Sequence, residues 1–175
     1  MSFEFKTCKL SDGRELKGLY EIQPGLFEDE RGYFIEAYNE RDFFAAGLTM
    51  KFVQDNQSKS GRGVLRGLHF QTKHPQGKLV HALQGKVYDV AVDLRKGSES
   101  FGKYYGLLLD SEKQNMLYIP EGFAHGYYVL SDEAVFAYKC TDFYDPKREG
   151  GLMWNDPAIG IDWKAISPDV NPLLS

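Results

Sequence analysis

The chain has 175 residues, with 21 Lys plus Arg against 25 Asp plus Glu and a formal net charge of -4, so the basic footprint of a nucleic-acid binder is absent. Hydrophobic residues make up 42% and aromatics 14%, enough to bury a core, which excludes a disordered chain. Two cysteines, Cys8 and Cys140, make neither a disulfide framework nor a CxxC motif, no apolar run is long enough to span a membrane, and the opening MSFEFKTCKL does not read as a secretory leader, so a cytoplasmic setting is expected.

Apolar runs are short and are broken about every 8–12 residues by Gly, Pro, Asn or Asp, the rhythm of an all-β sandwich, jelly roll or barrel. In chain order the expected strands are 17–23, 33–38, 50–55, 62–71, 78–83, 85–95, 103–109, 115–119, 126–130 and 134–144. The clearest is 87–94: Val87, Asp89, Ala91 and Asp93 alternate with Tyr88, Val90, Val92 and Leu94, and the second, wholly apolar set is expected to face a core. Helix is expected only over 39–46, capped by Asn39 and ended by Gly47, with a turn at 111–115. From Glu149 onward the chain is rich in Pro, Gly, Asp and Trp and is expected to wrap over the surface, so residues 1–175 read as one domain.

Ionisable residues interrupt these apolar patterns. In V-L-R-G-L-H-F-Q, strict alternation puts Arg66 and His69 on opposite faces, and a bulge at Gly67 would turn both toward one site. The alternative is a structural His and a rim Arg. His125, in I-P-E-G-F-A-H-G-Y, sits on a bend, as a ligand contact or as a turn residue. His81 shares a face with Leu79 and Leu83 and reads as packing, and His74 as a solvated loop residue. Lys78 lies on the face of Val80 and Ala82, either snorkelling out of the core or aimed at an oxyanion or phosphate. Tyr138, Cys140, Asp142 and Tyr144 share one face of the last long strand, as aromatic core or as an acid and a stacking ring. The four histidines include no H-x-H pair, and position 71 is Gln, so a metal site has no support from spacing. No nucleophile elbow, P-loop or dinucleotide fingerprint occurs.

Eight blocks in order carry a resemblance: F-E-D-E-R-G-Y-F-I-E (27–36), F-V-Q-D-N-Q-S-K-S (52–60), G-V-L-R-G-L-H-F-Q (63–71), P-Q-G-K-L-V (75–80), Y-D-V-A-V-D-L-R (88–95), I-P-E-G-F-A-H-G (119–126), Y-K-C-T-D-F-Y (138–144) and W-N-D-P-A-I-G-I-D-W (154–163). Together they span nearly the whole chain, which closely resembles the dTDP-4-dehydrorhamnose 3,5-epimerase family. The resemblance implies a cupin-type jelly roll with few short helices, and a homodimer whose N-terminal strands cross to the partner. It also implies catalysis without metal or cofactor on a dTDP-4-keto-6-deoxy-hexose. His69 matches the proton-abstracting base, Tyr138 the general acid on the opposite face of the sugar, and Lys78 the Lys near the keto oxygen. Arg66, Gln54, Asp55, Asn56, His125 and Glu149 match substrate contacts, with Arg66 placed for a phosphate. Arg31 and Glu36 match residues reaching the nucleotide from the neighbouring subunit. Tyr144 matches the aromatic that stacks on thymine, with Phe27 on its other side. Asp89 reads either as supporting the site from the interior face of its strand or as a carboxylate satisfied by a partner or by water.

In the family pattern, P-x-L-S continues with x-K-D, whose Asp pairs with the base. Here the sequence ends Pro172-Leu173-Leu174-Ser175. The expectation is a sequence cut short, or a weaker enzyme if that end is genuine, and Asp169, which precedes the motif, is not assigned this role. Rival readings are a sibling 3- or 5-monoepimerase or 3,4-ketoisomerase, a non-catalytic nucleotide-sugar-binding cupin, and a metal-dependent oxygenase.

Overall fold

The computed structural model describes residues 3–168 and 170–175. In chain order its elements are β1 (Phe3–Lys9), β2 (Glu15–Pro24), β3 (Leu26–Asp29), β4 (Gly32–Ile35), α1 (Glu40–Ala45), β5 (Gln54–Gly61), β6 (Val64–Gln71) and β7 (Lys78–Gln84). There follow β8 (Lys86–Asp93), β9 (Tyr104–Asp110), β10 (Met116–Ile119), β11 (Phe123–Val129), β12 (Glu133–Cys140), β13 (Glu149–Gly151) and β14 (Leu173–Leu174). One sheet runs β1-β2-β10-β7-β12-β5 and the other β13-β6-β11-β8-β9, with β14 joining β6 in parallel. All the other pairs are antiparallel. The sheets pack face to face as a jelly roll of the cupin type.

Three apolar clusters hold it. Between the sheets lie Leu19, Val80, Val87, Ala91, Leu117 and Phe136. On the outer face of the second sheet, the segment after β13 lays Trp163 over Tyr88, Val90, Val92 and Tyr128. On the outer face of the first, α1 seats Phe43 against Ile22, Leu79 and Met116. The helix begins where expected, because Asn39 Oδ1 accepts from the backbone N–H groups of Arg41 and Asp42 at 3.1 and 3.4 Å and so satisfies two donors left open by the first turn.

Several expectations are corrected. The alternation along β8 is real, but both faces are buried. Tyr88, Val90 and Val92 pack under the C-terminal wrap, while Val87 and Ala91, and with them Asp89, face the space between the sheets. The strand expected at 50–55 is β5, displaced to 54–61. The strand expected at 33–38 is the second arm of a short hairpin, β3–β4, turning at Glu30 and Arg31. The bend at 119–126 is shorter than expected, and His125 lies inside β11.

Candidate active site

The site is built from cross-strand rows on two facing walls. On the first sheet, β12 sits between β7 and β5. Its Cys140 aligns with Lys78 and Gln54, Tyr138 with Val80 and Asn56, and Phe136 with Ala82 and Ser58. On the second, β11 sits between β6 and β8, so that His125 aligns with His69 and Ala91, and Tyr127 with Arg66 and Asp89. Side chains opposite one another in such rows touch. Polar groups from three strands therefore converge on one patch of each wall.

The second wall depends on a bulge. Between Arg66 and His69 β6 advances three residues while β11 advances two, from Tyr127 to His125. The extra residue turns Arg66 and His69 to the same side, which strict alternation forbids. Gly67 adopts φ +114°, and a Cβ there would stand 2.5 Å from Gly126 Cα and 2.6 Å from the His125 carbonyl oxygen. Only glycines allow the two backbones to meet this closely.

Two adjoining cavities result. The outer, of about 280 Å³, is lined by residues including Gln54, Asn56, Tyr144 and Glu149. The inner, of about 140 Å³, includes Ser58, Arg66, His125 and Tyr127. His69, Lys78 and Tyr138 line both. His69 projects from β6 in one sheet, and Tyr138 and Lys78 from β12 and β7 in the other. The trio stands where the two chambers meet.

Each member is tuned by its surroundings. Burial holds the His69 imidazole below its ordinary value; Glu149, whose carboxylate oxygen lies 3.7 Å from Nδ1, opposes this, and Lys78 and His125 add to the lowering. Burial likewise lowers the Lys78 ammonium, opposed by Cys140, Asp89 and Glu149. Its Nζ lies 5.9 Å from the centre of the Tyr138 ring. Burial raises the Tyr138 phenol, with Cys140 and Tyr127 adding and Arg66 opposing. The arrangement thus offers a neutral imidazole able to take a proton, a phenol that keeps its own, and a cation beside it.

Supporting contacts fix the frame. Arg66 Nε donates to Ser60 Oγ at 2.9 Å, and the Ser58 and Tyr127 hydroxyls meet at 2.7 Å, linking the walls. His125 Nε2 lies 2.8 Å from Asp89 Oδ2, both side chains buried. Ahead of Lys78, Thr141 Oγ1 accepts from the Gly77 N–H at 2.8 Å and donates to Glu121 at 2.6 Å, holding the approach to β7.

The expected site residues divide. His69, Tyr138, Lys78, Arg66, His125, Gln54, Asn56, Tyr144 and Glu149 come together around the two cavities. Asp55 does not: strand alternation turns it outward, where Lys139 pairs with it at 2.9 Å. Phe27 and Arg31 lie on the β3–β4 hairpin, with Arg31 paired to Asp29, and neither they nor Glu36 lines either chamber of this chain. His81 lies on the outer face of β7 and His74 is exposed near Asp142, so neither joins His69 and His125. Among the described residues no group of three or more His, Cys, Asp or Glu is arranged to hold a metal ion. Asp169 lies outside the described residues. Ser58, Gln76 and Tyr127 line the chambers without having been expected. Ser58 is two residues beyond Asn56 and Tyr127 two beyond His125, so period two was the available signal.

The sequence model described as dTDP-4-dehydrorhamnose 3,5-epimerase matches residues 14–175. A dTDP-4-dehydrorhamnose 3,5-epimerase of Methanothermobacter thermautotrophicus is 52% identical over 160 residues, 91% of this chain and 84% of that protein. The crystal structure of dTDP-6-deoxy-D-glucose-3,5-epimerase from Legionella pneumophila, in complex with dTDP-4-keto-L-rhamnose, superposes with a TM-score of 0.88 at 44% identity, covering 99% of this chain and 88% of that one. A 3'-monoepimerase from Streptomyces bikiniensis in complex with dTDP-quinovose superposes with a TM-score of 0.84 at 32% identity, covering 95% and 82%. By sequence and by fold, the chain belongs to the dTDP-4-dehydrorhamnose 3,5-epimerase family.

Proposed function

We propose that the chain inverts C3 and C5 of dTDP-4-keto-6-deoxy-D-glucose to give dTDP-4-keto-L-rhamnose, on the route to dTDP-L-rhamnose. The observation that carries this reading is the placement of His69 and Tyr138 on opposite walls of one cavity, with Lys78 beside Tyr138. The C4 carbonyl acidifies the C–H bonds at C3 and C5. His69 takes the proton, the electron pair moves into an enolate on O4, and the Lys78 ammonium stabilises that charge. Such a donor is worth about 10²–10³ in rate. Tyr138 then delivers a proton to the other face of the carbon, which inverts it, and solvent returns both groups to their starting states.

Around this centre, Arg66 serves the diphosphate, Gln54, Asn56, His125 and Glu149 the sugar and nucleotide, and Tyr144 the thymine face. Asp55 supports this binding strand from its outer side. The chain works as one cupin domain in a homodimer, in which Phe27, Arg31 and Glu36 complete the neighbour's nucleotide site. Phe27, Tyr33 and Phe34, 51–60% exposed on a two-stranded hairpin, support an arm that docks elsewhere. Cys8 and Cys140, both unpaired and buried, are in keeping with a cytoplasmic setting.

The test is NMR of the substrate in D₂O with catalytic amounts of enzyme, beside a His69→Ala control. Deuterium at C3 and C5 that vanishes in the control is the expected result. The likeness to a 3'-monoepimerase favours one alternative, single inversion at C3, and deuterium at C3 alone would select it. No exchange at either carbon would overturn both.

A further inference from the structure

We propose that Asp89 is a positioning residue for this epimerisation, fixing the His125 ring with its proton on Nε2 and serving as the counter-charge of the Lys78 ammonium. The proposal rests on the function proposed above.

Asp89 stands in the middle of β8, flanked on its own face by Val87 and Ala91, and its side chain has no exposure. A carboxylate in such a place is costly unless its oxygens are matched. One oxygen, Oδ2, is matched by His125 Nε2 at 2.8 Å; the other, Oδ1, has no hydrogen-bond partner among the described residues. A half-satisfied buried carboxylate weakens a core that Val or Leu would fill, so its presence points to the site rather than to stability. As a carboxylate Asp89 can only accept, which places a His125 proton on Nε2. The ring is also held flat against Phe136, with centroids 6.1 Å apart and planes within 20°.

Lys78 is the complementary case. It lines the inner chamber with His125 and has no ion pair within 4.0 Å among the described residues. The titratable and charged groups around it are His69 and Arg66 from β6, Asp89 from β8, His125 and Tyr127 from β11, Tyr138 and Cys140 from β12, and Glu149 from β13. Of the two carboxylates, Glu149 is exposed and engaged with Tyr144, whereas Asp89 is shielded from water, where a charge acts over a longer range. Burial lowers Lys78, and Asp89 is among the groups that oppose this.

The experiment compares wild type with Asp89→Asn, which keeps the shape and removes the charge. Deuterium exchange at C3 and C5 in the wild type is measured first, and its absence overturns the function and the proposal together. With an active wild type, the Asn chain is expected to lose roughly 10- to 100-fold in kcat with KM within about twofold. The alkaline limb of its rate profile moves to lower pH, because Lys78 gives up its proton more readily. A merely structural carboxylate moves no limb. Activity within about twofold of wild type with an unmoved limb overturns the proposal while leaving the epimerase reading intact. Nitrogen-15 NMR of His125 in the wild-type protein decides the matter if the Asn chain does not fold: a proton on Nε2 supports the proposal and a proton on Nδ1 alone overturns it.

Discussion

His69 Nδ1 lies 3.7 Å from one carboxylate oxygen of Glu149, while the other accepts a 2.9 Å hydrogen bond from the Tyr144 hydroxyl. The first distance is too long for a hydrogen bond and short enough for the charge to act. Glu149 raises His69 against the lowering by burial. Replacing it by Gln therefore lowers His69 further and moves the acidic limb of kcat/KM to lower pH. The weaker base also slows proton abstraction, with an expected loss in kcat of about two- to tenfold. The side chains are 43% and 36% exposed, so salt shrinks the shift. Rate profiles at two ionic strengths check both points, and an unmoved limb would show that solvent screens Glu149 from the base.

Gly67 carries the geometry of the second wall. A methyl group there would meet Gly126 Cα at 2.5 Å and the His125 carbonyl at 2.6 Å, both backbone atoms that cannot swing aside, on a residue already at φ +114°. Gly67→Ala must open the β6–β11 pairing or flatten the bulge, and either change carries His69 away from Tyr138. A displacement near 1 Å costs about 100-fold in rate. The expectation is a folded chain of reduced stability with kcat down by at least about 100-fold. Far-ultraviolet circular dichroism and the deuterium-exchange assay together test it, and near-normal exchange would show that the bulge does not align the base.

What could be read from the residues, and what could not, follows from where each strand sits. β8 announces itself by alternation, although its second apolar face is covered by the C-terminal wrap rather than by the opposite sheet. β11 is buried along its whole length, so it has no polar face to reveal its period, and its start was placed late. β5 fails for the opposite reason. Gln54, Asn56, Ser58 and Ser60 point inward and are all polar because the first three line a site and Ser60 holds Arg66, so a search for apolar alternation slides to the neighbouring Phe52 and Val53. The same strand shows the limit of a motif: Q-D-N is contiguous in sequence, but the pleat sends its Asp to the other face. Arg66 and His69 share a face only through the bulge, which Gly67 hinted at and which pairing to β11 made definite. Nothing in the local sequence disclosed β13, β14 or the first hairpin arm, all short strands whose partners are already sheet edges or each other.

Trp163 separates stability from catalysis. It is 4% exposed and packs edge-on against Tyr88, with centroids 5.8 Å apart, and Tyr128, at 6.4 Å, while its indole N–H donates to the Trp154 carbonyl at 2.7 Å. These contacts are on the outer face of the second sheet, with Asp89 and His125 on the inner. Trp163→Ala is expected to cost about 3–5 kcal/mol, lowering Tm by roughly 10 °C. Below the new transition, kcat stays within about threefold of wild type, because the inner rows keep their register. Thermal melts with assays at low temperature check this. A large loss of kcat in the folded variant would show that the wrap tunes the site through the sheet.

Asp93, next in phase after Asp89 and Ala91 along β8, provides the acid limit of stability. Burial alone would raise its carboxyl, but Arg95, Ser100 and Ser98 all donate to it and hold it at about 2, against an ordinary 3.8. The folded value lies below the unfolded one, so the folded state binds fewer protons in the interval between them. Its contribution to stability is complete above about pH 4 and is lost as the pH falls toward 2, amounting to about 2 kcal/mol. The Asp93→Asn chain is expected to be less stable than wild type by at least that amount at pH 7, through loss of the charged acceptor for Arg95. The difference between the two chains should narrow between pH 4 and pH 2, because only the wild type has that proton to gain. Urea unfolding at a series of pH values measures the difference directly, and a gap that stays constant down to pH 2 would place the acid sensitivity on other carboxylates.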